Sequence, residues 1–233
     1  MAEAKRDKLI IYGDSEYAQM IAHYFRSDSA YEVVAFSVDE AHLSKKKIDA
    51  IPVVALETLK ENFPVEEYAI FSAIGYKSVR MHKNLYEKVA RLGYPVARYV
   101  SSRAIVDVTS HIGENALILP GVIMEPYSRI EANCFVNSGA IVSHHSHIGA
   151  HSIIAAGALI GGHTNVGESS LIGFHATVAE LLELAEETLV GANSLVLENT
   201  QAYTMYAGTP AKALRTHKEN GIVIVPKNLR PKE

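Results

Sequence analysis

From Ile112 onward every sixth residue is aliphatic or methionine without a gap: Ile112, Ile118, Met124, Ile130, Val136, Val142, Ile148, Ile154, Ile160, Val166, Ile172, Val178, Leu184, Val190 and Val196. Four residues after each stands a small side chain in nearly every hexad, as at Ala116, Cys134, Ser146 and Thr164, with Leu182 the clear exception. A period of six is neither helical nor that of a strand, but it is the mark of a solenoid built from short repeats. The aliphatic residue then fills the interior of a flat side, and the small residue sits where the chain turns inward at a corner. Glycine follows the aliphatic residue at Gly113, Gly149, Gly161, Gly167, Gly173 and Gly191, which predicts that these glycines supply the positive φ of tight corners. With three sides to a coil, residues eighteen apart stack about 4.8 Å from one another along the column.

The first hundred residues have another texture. Short apolar runs at 9–12, 33–38, 69–74 and 96–100 alternate with stretches at 17–25, 56–63 and 79–92, whose apolar residues recur every three or four positions. Strands separated by helices predict a small parallel sheet of doubly wound type. The chain therefore divides into a Rossmann-like α/β domain over 1–100, a parallel β-helix over 101–213 and a tail over 214–233. Residues 221–226 of that tail read as an edge strand or a subunit contact.

Composition narrows the function classes. Hydrophobic residues make up 48% of the 233 and charged ones 21%, enough for an ordinary buried core. A net charge of -4 supplies no basic field for a nucleic-acid backbone. The single cysteine, Cys134, has no intrachain disulfide partner, and the apolar run at 9–12 is too short for a signal segment or a membrane span, so a cytoplasmic protein is expected.

Together with the sheet-and-helix N-terminus and the closing Gly208-Thr209-Pro210-Ala211-Lys212, the hexads resemble the hexapeptide-repeat sugar O-/N-acyltransferases. That family includes the sialic acid O-acetyltransferases and the bacillosamine-pathway UDP-amino-sugar N-acetyltransferase, and the resemblance runs over roughly residues 8–213. It implies a left-handed coil, against the usual right-handed crossover preference. It also implies a homotrimer whose active sites lie between subunits, with acetyl-CoA as acyl donor.

The segment from Ile141 to Gly149 carries His144, His145 and His147, and the first two fall where side chains need not enter the prism. Histidine titrates near neutrality, as a base for acyl transfer must. By resemblance His144 is the general base and His145 the alternative; the plainer reading of either is a polar corner residue. Gly162 stacks on His144 with the period of eighteen, and in the family a backbone N–H at the matching place faces the thioester oxygen. The plainer reading is that Gly161 and Gly162 relax a corner. Family members commonly carry a carboxylate directly after the base, whereas here His145 stands there, so ring orientation falls to a backbone carbonyl or a neighbouring subunit. His147, His151, His163 and His175 read as polar corner residues, though His163 stacks on His145 and would line a CoA channel.

After the first strand comes Gly13-Asp14-Ser15, a glycine-rich turn lacking its second and third glycines and thus a poor dinucleotide fingerprint. The resemblance instead puts a nucleotide-sugar head near Gly13, Ser15 and Asp39, and near Gly75, Tyr76, Lys77 and Arg80, with Arg80 as phosphate clamp or merely a solvated helix residue. Acyl-CoA would run past Gly162, His163, Ala207, Gly208, Pro210 and Lys212, with Arg215 beside it.

The resulting expectation is an acetyl-CoA-dependent N-acyltransferase acting on a nucleotide-linked amino-deoxy sugar, with no metal. Three alternatives stay open. A sugar hydroxyl of sialic-acid type would use the same base, six histidines would suit a zinc enzyme like γ-carbonic anhydrase, and a non-catalytic sugar-nucleotide binder would consume no CoA.

Overall fold

The structure is a computed structural model that describes residues 7–73 and 77–224. The described residues form two compact units, one within 1–74 and 85–99, the other within 75–84 and 100–233. Among the described residues no helix is long and apolar enough to cross a membrane.

The first unit is an α/β domain around one sheet. Strands β1 (Asp7–Tyr12), β2 (Tyr31–Val38), β3 (Lys47–Ile48), β4 (Ile51–Ala55) and β5 (Tyr68–Ser72) lie in the order β3-β4-β2-β1-β5. All pairings are parallel except β3 with β4. Leu9, Ile10, Ile11 and Tyr12 are buried in succession, as a central strand covered on both faces requires. Helix α1 (Glu16–Ser27) presents Ala18, Ile21, Ala22 and Phe25 to this core at helical spacing, and Ser15 caps its start by accepting from the Ala18 N–H.

Two sequence expectations differ from the structure, and one element adds to them. The helix over 56–63 shrinks to one turn, α2 (Leu59–Asn62), because the Leu56 N–H is drawn to the Val38 carbonyl. The strand over 96–100 is reduced to a single bridge of Val96 to Ile70 and the pair Tyr99–Val100, since Pro95 offers no N–H to a ladder. The hairpin of β3 and β4 is an addition, in which Pro52 is tolerated because its partner Lys47 lies on the two-residue strand at the edge of the sheet.

The second unit is a left-handed parallel β-helix. Its faces are stacks of two-residue strands whose partners lie eighteen residues away up to Val196, as Ile123 pairs with Ile141 and Ile141 with Leu159. The every-sixth series from Ile118 to Val196 is buried throughout, and Ile112 packs half-buried against it. Full burial of one such side chain contributes about 1.5–3 kcal/mol, so the column's stability accumulates along its whole length. The strand pair Ile105–Val106 already belongs to the column, and Val100 and Val106 extend the same series backward.

At the small positions, hydroxyls tie coil to coil. Ser146 Oγ donates to the Gly161 carbonyl at 2.7 Å and accepts from the Thr164 N–H, and Ser152 and Thr164 repeat the arrangement. Cys134 takes the same place, its thiol 3.2 Å from the Gly149 carbonyl. Burial pushes that thiol's pKa up to about 12.

The glycines require a different explanation. Positive φ falls on every sixth residue from Asn115 to Asn193, three places after the aliphatic one, and is held there by Asn133, His145, His151 and Gly157 among others. Asparagine and histidine accept this left-handed region more readily than most residues. The glycines directly after the aliphatic residue serve close approach instead. A Cβ on Gly149, Gly161, Gly167 or Gly173 would stand 2.5–2.7 Å from a backbone nitrogen of the next coil.

The chain leaves the column through an antiparallel hairpin, Thr204–Ala207 with Lys212–Thr216. Beyond it the Ile222 carbonyl accepts from the Val79 N–H and the Ile224 N–H donates to the Lys77 carbonyl, so the tail pairs with the segment before helix α3 (Val79–Ala90).

Candidate active site

Each corner of the column is a file of residues eighteen apart. One file runs Tyr127, His145, His163, Leu181, all at positive φ and all exposed. The His145 and His163 rings stack at 4.6 Å between centroids and 12° between planes, and Tyr127 lies 4.9 Å from His145 on the other side. His144 precedes the corner residue and its ring stands edge-on to both neighbours, 5.5 Å from His145 and 5.2 Å from His163.

Two groups hold His144. Its backbone N–H donates to Glu125 Oε2 at 2.9 Å, and its Nδ1 lies 3.3 Å from His145 Nδ1. One of those two nitrogens must carry the proton between them. If His144 carries it, its Nε2 keeps a lone pair directed away from the contact, and the neighbouring imidazole does the orienting that a carboxylate would do elsewhere.

Gly162 lies directly against this ring. The His163 N–H donates to the His144 carbonyl at 3.0 Å, so the coils are in register here. A Cβ on Gly162 would lie 2.6 Å from His144 Cε1 and 2.9 Å from Nε2. Among the described residues the N–H of Gly162 donates to no protein acceptor, although the residue is buried. The N–H of Ala132, Ala150 and Ala156, at the same place in their hexads, likewise meets no acceptor among the described residues, and what sets Gly162 apart is the exposed imidazole beside its donor, where an incoming oxygen could be met.

Sequence reasoning thus placed His144, His145, Gly162 and His163 on the corner where the structure brings them together, and overlooked Glu125 and Tyr127. Tyr127 was within reach of the same arithmetic, being eighteen residues before His145, whereas Glu125 lies nineteen before His144 and is one place off the count. The remaining histidines are elsewhere. His147 binds Glu131 on a face, where burial opposes the carboxylate charge but the bonds from His147 and Arg129 hold it below the usual range. His175 lies against Gly157 on a second corner, and His151 is buried on the third beside Asn133. Ala207, Gly208, Pro210 and Lys212 form the closing hairpin's turn, where Gly208 bonds to Ser194 and Leu195, on the second corner rather than the histidine corner.

Arg80 is engaged by its own chain. Its Nε donates to Glu187 at 2.9 Å, and its terminal nitrogens donate to the Glu219 and Lys218 carbonyls at 3.1 and 2.7 Å. The guanidinium pins the tail to the third corner, with three of its N–H donors engaged within the chain. A polar cavity of about 270 Å³ lies beside it, lined by Arg80, Lys83, Glu168, Ser169 and Glu187 among others. Gly75 and Tyr76 fall outside the described residues, and Lys77 is exposed beside them.

In the first unit the candidates gather at the carboxyl ends of the strands. β2 and β5 flank β1, and the chain reverses direction across the sheet at β1 and β5, which is where open α/β sheets form their ligand crevice. Gly13 ends β1 at φ 126° and donates to the Ser37 carbonyl at 2.7 Å. The Ser37 hydroxyl, fully buried beneath, meets no hydrogen-bond partner among the described residues. Asp39 Oδ1 accepts from the Tyr12 hydroxyl at 2.6 Å and from Lys88 at 2.8 Å. Burial opposes its charge, but those bonds prevail and hold its carboxyl below the usual range.

Residues 8–89 match the PglD N-terminal domain family, and residues 127–162 match the bacterial transferase hexapeptide (six repeats) family. No curated protein matches the chain. Among solved structures, the acetyltransferase domain of PglB from Neisseria gonorrhoeae FA1090 superposes with a TM-score of 0.80 at 23% identity, over 90% of this chain and 100% of that one. The same domain has been solved with acetyl coenzyme A. PerB from Caulobacter crescentus, in complex with CoA and GDP-perosamine, gives a TM-score of 0.79 at 23% identity over 89% and 97% of the two chains. An alanine-for-histidine variant of GDP-perosamine N-acetyl transferase from Caulobacter crescentus, also bound to CoA and GDP-perosamine, gives 0.79 at 22% over the same shares.

Proposed function

We propose that this chain, a hexapeptide-repeat sugar acyltransferase joining a PglD-type N-terminal domain to a transferase solenoid, carries an acetyl group from acetyl-CoA to the amine of a nucleotide-linked amino-deoxy sugar. The observation that carries this reading is the exposed His144 imidazole lying against the backbone of Gly162, whose N–H meets no protein acceptor among the described residues.

The chemistry follows from these two groups. His144, holding its proton on Nδ1 against His145, takes the amine proton on Nε2 as the nitrogen attacks the thioester carbonyl. The Gly162 N–H donates to the oxygen as it gains charge, a contribution of about 3–4 kcal/mol where such donors have been removed elsewhere. Collapse forms the amide, breaks the carbon–sulfur bond and returns the proton to the departing CoA thiolate. An amine acceptor and a CoA donor are supported by the named partners of the similar Caulobacter proteins. The strand ends at Gly13 and Asp39 are the proposed seat of the nucleotide.

Turnover of acetyl-CoA with a panel of UDP-, dTDP- and GDP-linked amino sugars tests the reading. His144→Ala should lose about 10²–10⁴-fold in kcat, as removal of a general base does. A variant that kept full activity would remove His144 from the mechanism.

A further inference from the structure

We infer that His144, His145 and His163 form a binding site for a borderline transition-metal ion within one chain, and that an ion bound there switches acyl transfer off. The inhibitory half rests on the function proposed above; the metal half does not. One nitrogen from each of the three rings lies within 4.8 Å of the other two. A tetrahedral zinc ion with bonds of about 2.0–2.1 Å sets its ligand nitrogens about 3.3–3.4 Å apart. The His144 and His145 Nδ1 atoms are 3.3 Å apart, so two ligands already stand at that spacing. His163 must turn out of its stack on His145 to aim a lone pair at the ion, and its exposure leaves that rotation open. An all-imidazole donor set with a position left for water suits Zn²⁺, Co²⁺, Ni²⁺ or Cu²⁺ and not Mg²⁺ or Ca²⁺.

The two uses of the site exclude each other. Catalysis needs the proton of His144 on Nδ1 and a lone pair on Nε2. An ion on Nδ1 takes the place of the proton shared with His145, so the neutral ring must carry its hydrogen on Nε2, where it accepts nothing. The metal therefore withdraws the base without moving the backbone.

Calorimetry on the full chain, freed of metal with EDTA, would titrate ZnCl₂ and CoCl₂ near pH 7.5. One ion per chain is expected. His145→Asn and His163→Asn are the chosen controls, because asparagine also accepts the positive φ of both positions, and each should weaken binding about tenfold or more. Zn²⁺ should inhibit turnover at concentrations matching its calorimetric Kd, with EDTA restoring the rate. Binding that survives both asparagine variants, or a stoichiometry of one ion per two or three chains, would overturn the single-chain site. Full turnover with the site saturated would overturn the inhibition. Calorimetry reads the site whether or not any sugar nucleotide is turned over, so failure of the acyl-transfer reading is told apart from failure of the metal site.

Discussion

Replacing Gly162 with alanine tests the proposed geometry with one methyl group. The new Cβ would lie 2.6 Å from His144 Cε1, whereas carbon atoms pack at about 3.5–4.0 Å, so the ring must retreat by about 1 Å. A displacement of that size at a reacting centre costs about 10²-fold in rate, or about 2.7 kcal/mol. The fold should hardly notice. Gly162 is not at positive φ, so alanine adopts its backbone, and His144 is exposed and can swing into solvent. Stability should change by no more than about 1 kcal/mol, a shift of about 2–4 °C in Tm for a chain of this size. Steady-state kinetics with acetyl-CoA and the acceptor sugar, beside calorimetric Tm, separate the two effects. A kcat within threefold of the parent, or a loss that merely follows Tm, would refute the role given to this contact.

Other expectations concern the fold and its charges. Gly167→Ala should destabilise by about 1–3 kcal/mol, because its Cβ meets the Glu186 nitrogen at 2.5 Å, while Gly139→Asn, at φ 73° with nothing within 4 Å, should stay within about 1 kcal/mol; urea midpoints compare them. Cys134 should react with a thiol reagent only after denaturation, one thiol per chain, since burial both covers it and pushes its pKa up to about 12. Arg80→Ala should release the tail, seen as faster amide exchange at residues 217–224, and leave the KM for the sugar nucleotide within about twofold. Asp39 has a folded pKa below its unfolded value of about 3.9, so its bonds to Tyr12 and Lys88 stabilise above that pH and fade as pH falls through the lower value. The urea midpoint gap between the parent and Asp39→Asn should accordingly be flat from pH 7 to 5 and close toward pH 3.

The column was legible because its interior obeys one rule at every turn. Each aliphatic residue from Ile118 to Val196 is buried where the six-residue count puts it. The series extends backward of Ile112, since Val100 and Val106 already fit it. The glycines misled because two physical needs favour the same residue. Gly161 and Gly167 stand where the next coil leaves no room for a Cβ, whereas positive φ falls two places further on, at His163 and Ser169. The recurrence of Asn115, Asn133, His151 and Asn193 at that later position was the available signal, because these residue types share with glycine a tolerance for it.

The candidate site divides along the same line. His144 with Gly162, and Tyr127 with His145 and His163, are related by the stacking period, so their proximity follows from counting, whatever the side chains are, and Glu125 joins them from one place off that count. Contacts made by segments outside the repeat have no period to count. Arg80 meets Glu187, Lys218 and Glu219, at separations of 107 to 139 residues, through a tail whose path no pattern announces. A solvated arginine and a tail-pinning one look alike in sequence, and only the fold tells them apart. The metal inference belongs to the countable part. His145 and His163 occupy one file because the coil repeats every eighteen residues, and His144 joins them as the residue before the corner. Moving His163 one hexad along, as in a His163→Asn, Ser169→His variant, would put its imidazole on the next corner. That variant should keep the coil but bind Zn²⁺ no better than His163→Asn alone. Equal affinity in the displaced variant and the parent would mean that surface histidines, rather than the corner file, hold the ion.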